Sequence, residues 1–139
     1  MDVINLKEKL CKSCGRVLEG KRKKVFCNVH CQMNYYYHQW IIKWKNGEET
    51  GIVGEYGISK HLRRYLFEKY ENKCSKCGWS KVNPYTGKIP LEVEHIDGDY
   101  TNNDENNLTL LCPNCHSLTA TYKGANAGNG RQTRRKYYN

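Results

Sequence analysis

The 139-residue sequence has no apolar run long enough to span a bilayer, so a helical membrane protein is excluded. Its first ten residues, MDVINLKEKL, are broken by charge and hold no apolar stretch of secretory-leader length. A cytoplasmic setting, with thiols kept reduced, is therefore expected. Apolar residues make up only 38% of the chain, with two Phe and two Met. So small an apolar complement cannot build a large core, and a domain of this size needs another form of cross-link. Acidic residues are also scarce in one region, with none after Glu105.

Against these absences stand 23 Lys and Arg, which with 14 Asp and Glu give a net charge of +9. Six of the acids cluster between Glu92 and Glu105, so one acidic patch lies among basic flanks. A metal-dependent enzyme acting on a polyanion needs that distribution, although a basic soluble protein shares the overall charge.

Eight cysteines supply the missing cross-links. Cys11 and Cys14 form C-K-S-C-G, and Cys27 and Cys31 follow after 12 intervening residues. Cys74 and Cys77 pair in the same way with Cys112 and Cys115, across 34 residues. These are metal-ligand spacings more than a disulfide framework, and four thiolates at two turns suit tetrahedral zinc. Two structural zinc ions are expected. A site closed by four cysteines leaves no open coordination position, so neither ion is expected to be catalytic.

The stretch Gly20 to Lys24 reads as a basic hairpin tip between the first two cysteine pairs. Residues 30–45 predict a helix, with Met33, Tyr36, Tyr37, Trp40, Ile41 and Trp44 at three- and four-residue steps. Asn46-Gly47 ends it. Its aromatics fit base stacking or a core stripe, and the helical spacing favours the core. The knuckle with its helix resembles treble-clef or FCS-like zinc fingers. Residues 46–58, with four glycines and three acids, read as a linker with little structure of its own. Ser59 caps a second helix running to about Tyr70, with Leu62, Tyr65 and Leu66 inward and Arg63 and Arg64 on or near the other side.

The most informative stretch is Leu91 to His116, LEVEHIDGDYTNNDENNLTLLCPNCH. A strand from Ile89 to Glu94 delivers Glu94 and His95. Asp97-Gly98-Asp99 then turns the chain, and His116 follows the second knuckle in a short helix. Hydrolysis of a phosphodiester needs an activated water and a cation on the phosphate. A histidine suits the first task because it titrates near neutrality, and a carboxylate with an imidazole suits the second. Glu-His, Asn-Leu and C-x2-C-His at these spacings resemble the HNH endonucleases, of the ββα-metal class, over residues 70–127. The zinc-stapled HNH proteins of phages and mobile elements, homing endonucleases among them, are the nearest type.

That resemblance implies His95 as general base, Glu94 and His116 as ligands of a catalytic Mg²⁺ or other divalent cation, and Asn107 as the amide that pins the loop carrying the base. Glu94 departs from the commoner Asp or His by lengthening the arm. Asn126 matches a trailing family Asn. Expected products carry 5′-phosphate and 3′-hydroxyl ends, with one DNA strand cut per active site. The expected fold class is a small zinc-stabilised α+β protein. It comprises an N-terminal zinc-finger-like module with its helix (1–46), a Gly-rich linker (47–57), an HNH nuclease domain (58–127) and a basic tail (128–139). Expected contacts to double-stranded DNA are Lys21, Arg22, Lys23, Lys24, Arg63, Arg64, Arg131, Arg134, Arg135 and Lys136. Monomer and homodimer are both compatible with the sequence, as are two rivals: a non-catalytic zinc-dependent DNA-binding protein and a nuclease directed at RNA. Elemental analysis of the purified chain should find about two zinc ions. A zinc-free protein with oxidised cysteines would refute both sites.

Overall fold

The computed structural model describes residues 8–20, 22 and 24–126. It is a small α+β protein whose elements run α1 (Val29–Lys45), β1 (Ile52–Val53), β2 (Gly57–Ile58), α2 (Lys60–Lys69), β3 (Glu92–His95), β4 (Leu108–Leu111) and α3 (Pro113–Ser117). Single 3-10 turns lie at Glu105–Asn107 and Lys123–Asn126. The chain divides into two compact units between Lys43 and Trp44, within α1. No helix of the described residues is long and apolar enough to cross a membrane.

In the first unit a knuckle turn closes with the Gly15 N–H on the Cys11 carbonyl at 2.9 Å. The Asn28 side chain caps α1 by accepting from the Cys31 N–H at 2.9 Å. Tyr37 and Ile41 are buried, but Met33 and Tyr36 are exposed, so the apolar stripe is narrower than the spacing predicts. Tyr36 instead joins Tyr35 and Phe26 in an aromatic group, with ring centroids 5.4–6.0 Å apart. Aromatic pairs of this kind stabilise without full burial.

The second unit begins with a surprise for the sequence reading. The stretch expected to be an unstructured linker holds an antiparallel hairpin, β1 paired with β2, that leads into Ser59. Gly51 makes it possible: its φ is +75°, and a Cβ there would lie 2.8 Å from Leu62 and 3.2 Å from the Asn103 amide. Ser59 caps α2 as expected, accepting from the His61 N–H at 3.2 Å. Leu62 and Leu66 are fully buried, while Arg63 and Arg64 face solvent. Arg64 is engaged by Glu68 at 2.7 Å, one helical turn on.

Strands β3 and β4 form an antiparallel pair with Glu92 opposite Leu111 and His95 opposite Leu108. The strand starts at Glu92 rather than Ile89 and includes His95. The Leu91 N–H is turned back to the Ile89 carbonyl at 2.8 Å around Pro90, which keeps residues 89–91 out of the ladder. Helix α3 follows β4 directly and touches both strands. The core beneath is small, made of Leu91, Leu110, Leu111, Cys74 and Cys112, with Phe67, Tyr70, Trp79, Ile89 and Val93 around it.

One ionic cluster ties α2 and the end of α1 to the polar loop within this unit. Glu105 accepts the Tyr65 hydroxyl at 2.6 Å and Lys69 at 3.2 Å, with Lys45 at 3.8 Å. The Tyr65 hydroxyl, then Lys69 and Lys45, hold its carboxyl below the usual carboxylate range. A lowered folded-state pKa gives stability that is present at neutral pH and lost as acid protonates Glu105 below its usual range. Tyr65→Phe should therefore cost about 1 kcal/mol at neutral pH. The cost should shrink in denaturant melts repeated at progressively lower pH.

Candidate active site and metal centres

Both cysteine quartets assemble. Cys11, Cys14, Cys27 and Cys31 bring their sulfurs within 4.8 Å of one another, as do Cys74, Cys77, Cys112 and Cys115. The Sγ–Sγ separations of 3.4 Å for Cys14–Cys27 and 3.7 Å for Cys77–Cys112 are far too long for disulfides. They lie near the edge of roughly 3.8 Å of a ZnS₄ tetrahedron with 2.3 Å bonds. Burial pushes Cys74 up, but the N–H groups of Cys112, Cys77 and Lys76 more than reverse this and bring it to about 6. The neighbouring Cys112 thiol, followed by burial, pushes Cys115 up to about 12. The N-terminal quartet repeats the split: Cys11 falls to about 6 against the pull of burial, and Cys27 rises to about 12 beside Cys14. Each quartet therefore attracts the first negative charges and resists the last, the electrostatics that a dication relieves.

Strand β3 delivers the candidate chemistry from adjacent residues. Glu94 is buried, and its Oε2 lies 2.6 Å from His116 Nδ1 on α3. Its Oε1 accepts the Thr121 hydroxyl at 2.9 Å. Glu92, two residues earlier on the strand, reaches the other ring nitrogen of His116 at 3.1 Å. The Tyr122 ring stands edge-on to that imidazole, with centroids 5.3 Å apart.

His95 belongs to a different constellation. Its Nε2 meets Asn103 Oδ1 at 2.7 Å. Asn103 is itself buried and fixed: its amide nitrogen donates to the Thr50 carbonyl at 2.9 Å, and its own carbonyl accepts the Trp44 indole N–H at 3.0 Å. With the amide nitrogen facing a carbonyl, Oδ1 must face His95. Nε2 is therefore the donor in this contact, and in the neutral ring the lone pair lies on Nδ1. The described contacts join His95 to the Glu94–His116 pair only through the chain.

Asn107 closes the loop between β3 and β4. Its side-chain oxygen accepts the Asp97 N–H at 3.0 Å. Its amide donates to Asp97 Oδ1 and to the Asn102 carbonyl, each at 2.8 Å. Asp97 and Asp99 shape the turn, taking the N–H groups of Asp99 and Thr101 at 2.9 Å each. The Asn102 amide, then the Asp99 N–H, hold Asp97 below the usual carboxylate range. Asn126 packs on this turn, donating to the Gly98 carbonyl at 2.9 Å. Only glycine fits there, since φ is +75° and a Cβ would sit on the Asn126 side chain.

Sequence reasoning singled out His95, Glu94, His116 and Asn107. It passed over Glu92, Thr121 and the role of Asn103. Period-two alternation places Glu92 on the face of Glu94 and could have found it. Nothing distinguishes Asn103 among four loop asparagines until Trp44 and Thr50 are folded against it. Among the expected DNA contacts, Lys21, Lys23, Arg131, Arg134, Arg135 and Lys136 lie outside the described residues. Arg22, Lys24, Arg63 and Arg64 are exposed.

Residues 74–119, which run from the first cysteine of the second quartet to just past His116, match the HNH family, described as HNH endonuclease. The chain thus carries an HNH endonuclease domain. The H-N-H endonuclease F-TflIV of Escherichia phage T5 is 51% identical over 93 residues, 65% of this chain and 40% of that protein. The chain therefore spans less than half the length of this relative. No solved structure matches.

Asn103→Ala should release His95. The ring should lose its single tautomer, seen in the imidazole ¹⁵N shifts, and the fold should lose about 1–2 kcal/mol in chemical denaturation as the Thr50 carbonyl goes unpaired. An unchanged tautomer would mean that Asn103 does not orient the ring.

Proposed function

We propose that this chain hydrolyses phosphodiester bonds in double-stranded DNA, with His95 as general base and Glu94 and His116 holding one divalent cation, Mg²⁺ in the simplest case. The observation that carries the reading is the pairing of an oriented histidine and a carboxylate–imidazole pair on consecutive residues of β3. His95 Nδ1 is the free lone pair, and with Nε2 anchored on Asn103 it can take a proton from water. Glu94 Oε2 and His116 Nδ1 offer the oxygen and nitrogen donors that suit a hard or borderline divalent ion. The cation, when bound, polarises the phosphate and stabilises charge on the leaving oxygen. Asn107 keeps the loop that follows His95 closed on itself, so the base stays at the strand end.

The resemblance to HNH enzymes gives 5′-phosphate and 3′-hydroxyl products and one strand cut per site, so a monomer nicks and a dimer breaks both strands. The zinc ions take a structural role, tying the ends of the β3–β4 hairpin to the knuckle at Cys74 and Cys77. Lys21, Arg22, Lys23, Lys24, Arg63 and Arg64, with Arg131, Arg134, Arg135 and Lys136, make the phosphate contacts. The setting is the cytoplasm of a bacterium or a phage-infected cell, where the cysteines remain reduced.

Supercoiled plasmid incubated with the protein and Mg²⁺ should become nicked, and EDTA should stop the reaction. His95→Ala should lower the single-turnover rate by roughly 10²–10⁴-fold with DNA affinity nearly unchanged. A variant cutting at the wild-type rate would remove His95 from the mechanism. A wild-type protein that binds DNA but cuts under no divalent ion would instead be a zinc-dependent binding protein. Preference for RNA in the same assay would redirect the substrate.

A further inference from the structure

Each candidate cation ligand has two polar atoms, and the structure uses them differently. Glu94 Oε2 and His116 Nδ1 face each other at 2.6 Å. The outer atom of each is held by another side chain: Thr121 donates to Glu94 Oε1 at 2.9 Å, and Glu92 Oε2 lies 3.1 Å from His116 Nε2. We infer that Glu92 and Thr121 are positioning residues that present Glu94 Oε2 and His116 Nδ1 together to a divalent cation. This rests on the reading that Glu94 and His116 are the cation's ligands.

The two nitrogens of an imidazole point away from each other. A carboxylate on Nε2 therefore lies on the far side of the ring from Nδ1 and is not placed to share an ion there. It is placed to accept the Nε2 proton, which leaves the Nδ1 lone pair inward. A carboxylate or carbonyl on the remote N–H is the usual support of a metal-bound histidine, fixing tautomer and ring angle. Strand alternation puts Glu92 on the face of Glu94, so β3 supplies one ligand and the support of the other. Glu92 is about half exposed, so its Coulomb attraction is screened and its main effect is orientation. Thr121 does the equivalent for Glu94 by occupying the oxygen that would otherwise compete for the ion. It lies beyond residue 119, where the family match stops, so the site extends past the recognised domain. The Tyr122 ring beside His116 comes from the same short segment.

Mn²⁺ binding to the full-length, zinc-loaded chain, without nucleic acid, tests this by electron paramagnetic resonance or calorimetry. Glu92→Ala and Thr121→Val should each weaken Mn²⁺ binding by roughly 10–100-fold. Glu92→Gln, whose amide oxygen can accept the same proton, and Thr121→Ser, which keeps the hydroxyl, should restore most of it. With diamagnetic Mg²⁺ bound in place of Mn²⁺, the ¹⁵N shifts of His116 should report the Nε2–H tautomer in the wild type and a mixture in Glu92→Ala. Unchanged affinity and an unchanged tautomer in Glu92→Ala would overturn the assignment for Glu92, and unchanged affinity in Thr121→Val would overturn it for Thr121. A loss in Glu92→Ala as complete as in Glu94→Ala, and not recovered by Gln, would also overturn it by making Glu92 a ligand. Mn²⁺ binding that survives Glu94→Ala and His116→Ala would instead refute the underlying ligand reading. Retention of zinc by each variant confirms that it is folded.

Discussion

Everything in the second unit depends on cross-linking a hairpin too short to hold itself. Strands β3 and β4 have four residues each, and α3 has five. Such elements are marginal alone, because little apolar area is removed from water to offset the entropy of ordering them. The core here is correspondingly thin, and two of its five buried members are cysteines, Cys74 and Cys112. The quartet is therefore part of the packing as well as a cross-link. Cys112 also caps α3, accepting the Cys115 N–H on its sulfur at 3.4 Å, which starts the helix that carries His116. A change at this quartet would reach His116 before it reached the rest of the fold.

The polar loop between the strands has a different support. It contains almost nothing apolar, so its shape rests on hydrogen bonds, and Asn107 makes three of them through its side chain. A loop held this way is stiff only if every partner is present, since each lost bond leaves another polar group unpaired. His95 gains a further tether from outside the loop. Asn103 is gripped by Trp44 and Thr50, residues far earlier in the chain but in the same compact unit. The small hairpin β1–β2 and Gly51 thus serve the candidate base, although neither touches it in sequence. An isolated segment bounded by residues 74 and 119 would lack that grip.

The two constellations on β3 divide the chemistry by strand geometry. Neighbouring residues of a strand project to opposite faces, so Glu94 can be buried against His116 while His95 turns to Asn103. The arrangement lets one short strand support an acidic site and an oriented imidazole without pairing the two.

Local chemistry was legible in the sequence. The closely spaced cysteine pairs of each quartet, the Ser59 cap, the turn at Asp97-Gly98-Asp99 and the order Glu94, His95, Asn107, His116 follow from residue type and spacing, because each needs only neighbours within a few positions. The hairpin at 52–58 was not legible, since four glycines and three acids read as a linker; what orders it is a buried Gly51 against Leu62 and Asn103. Nor could spacing tell Asn103 from Asn102 or Asn106. Only tertiary packing, by burying one of them between Trp44, Thr50 and His95, decided which asparagine holds the imidazole. Sequence determined which side chains were available for chemistry, and the folded chain determined which of their atoms point inward, because hydrogen-bond direction is set by partners that lie distant along the chain.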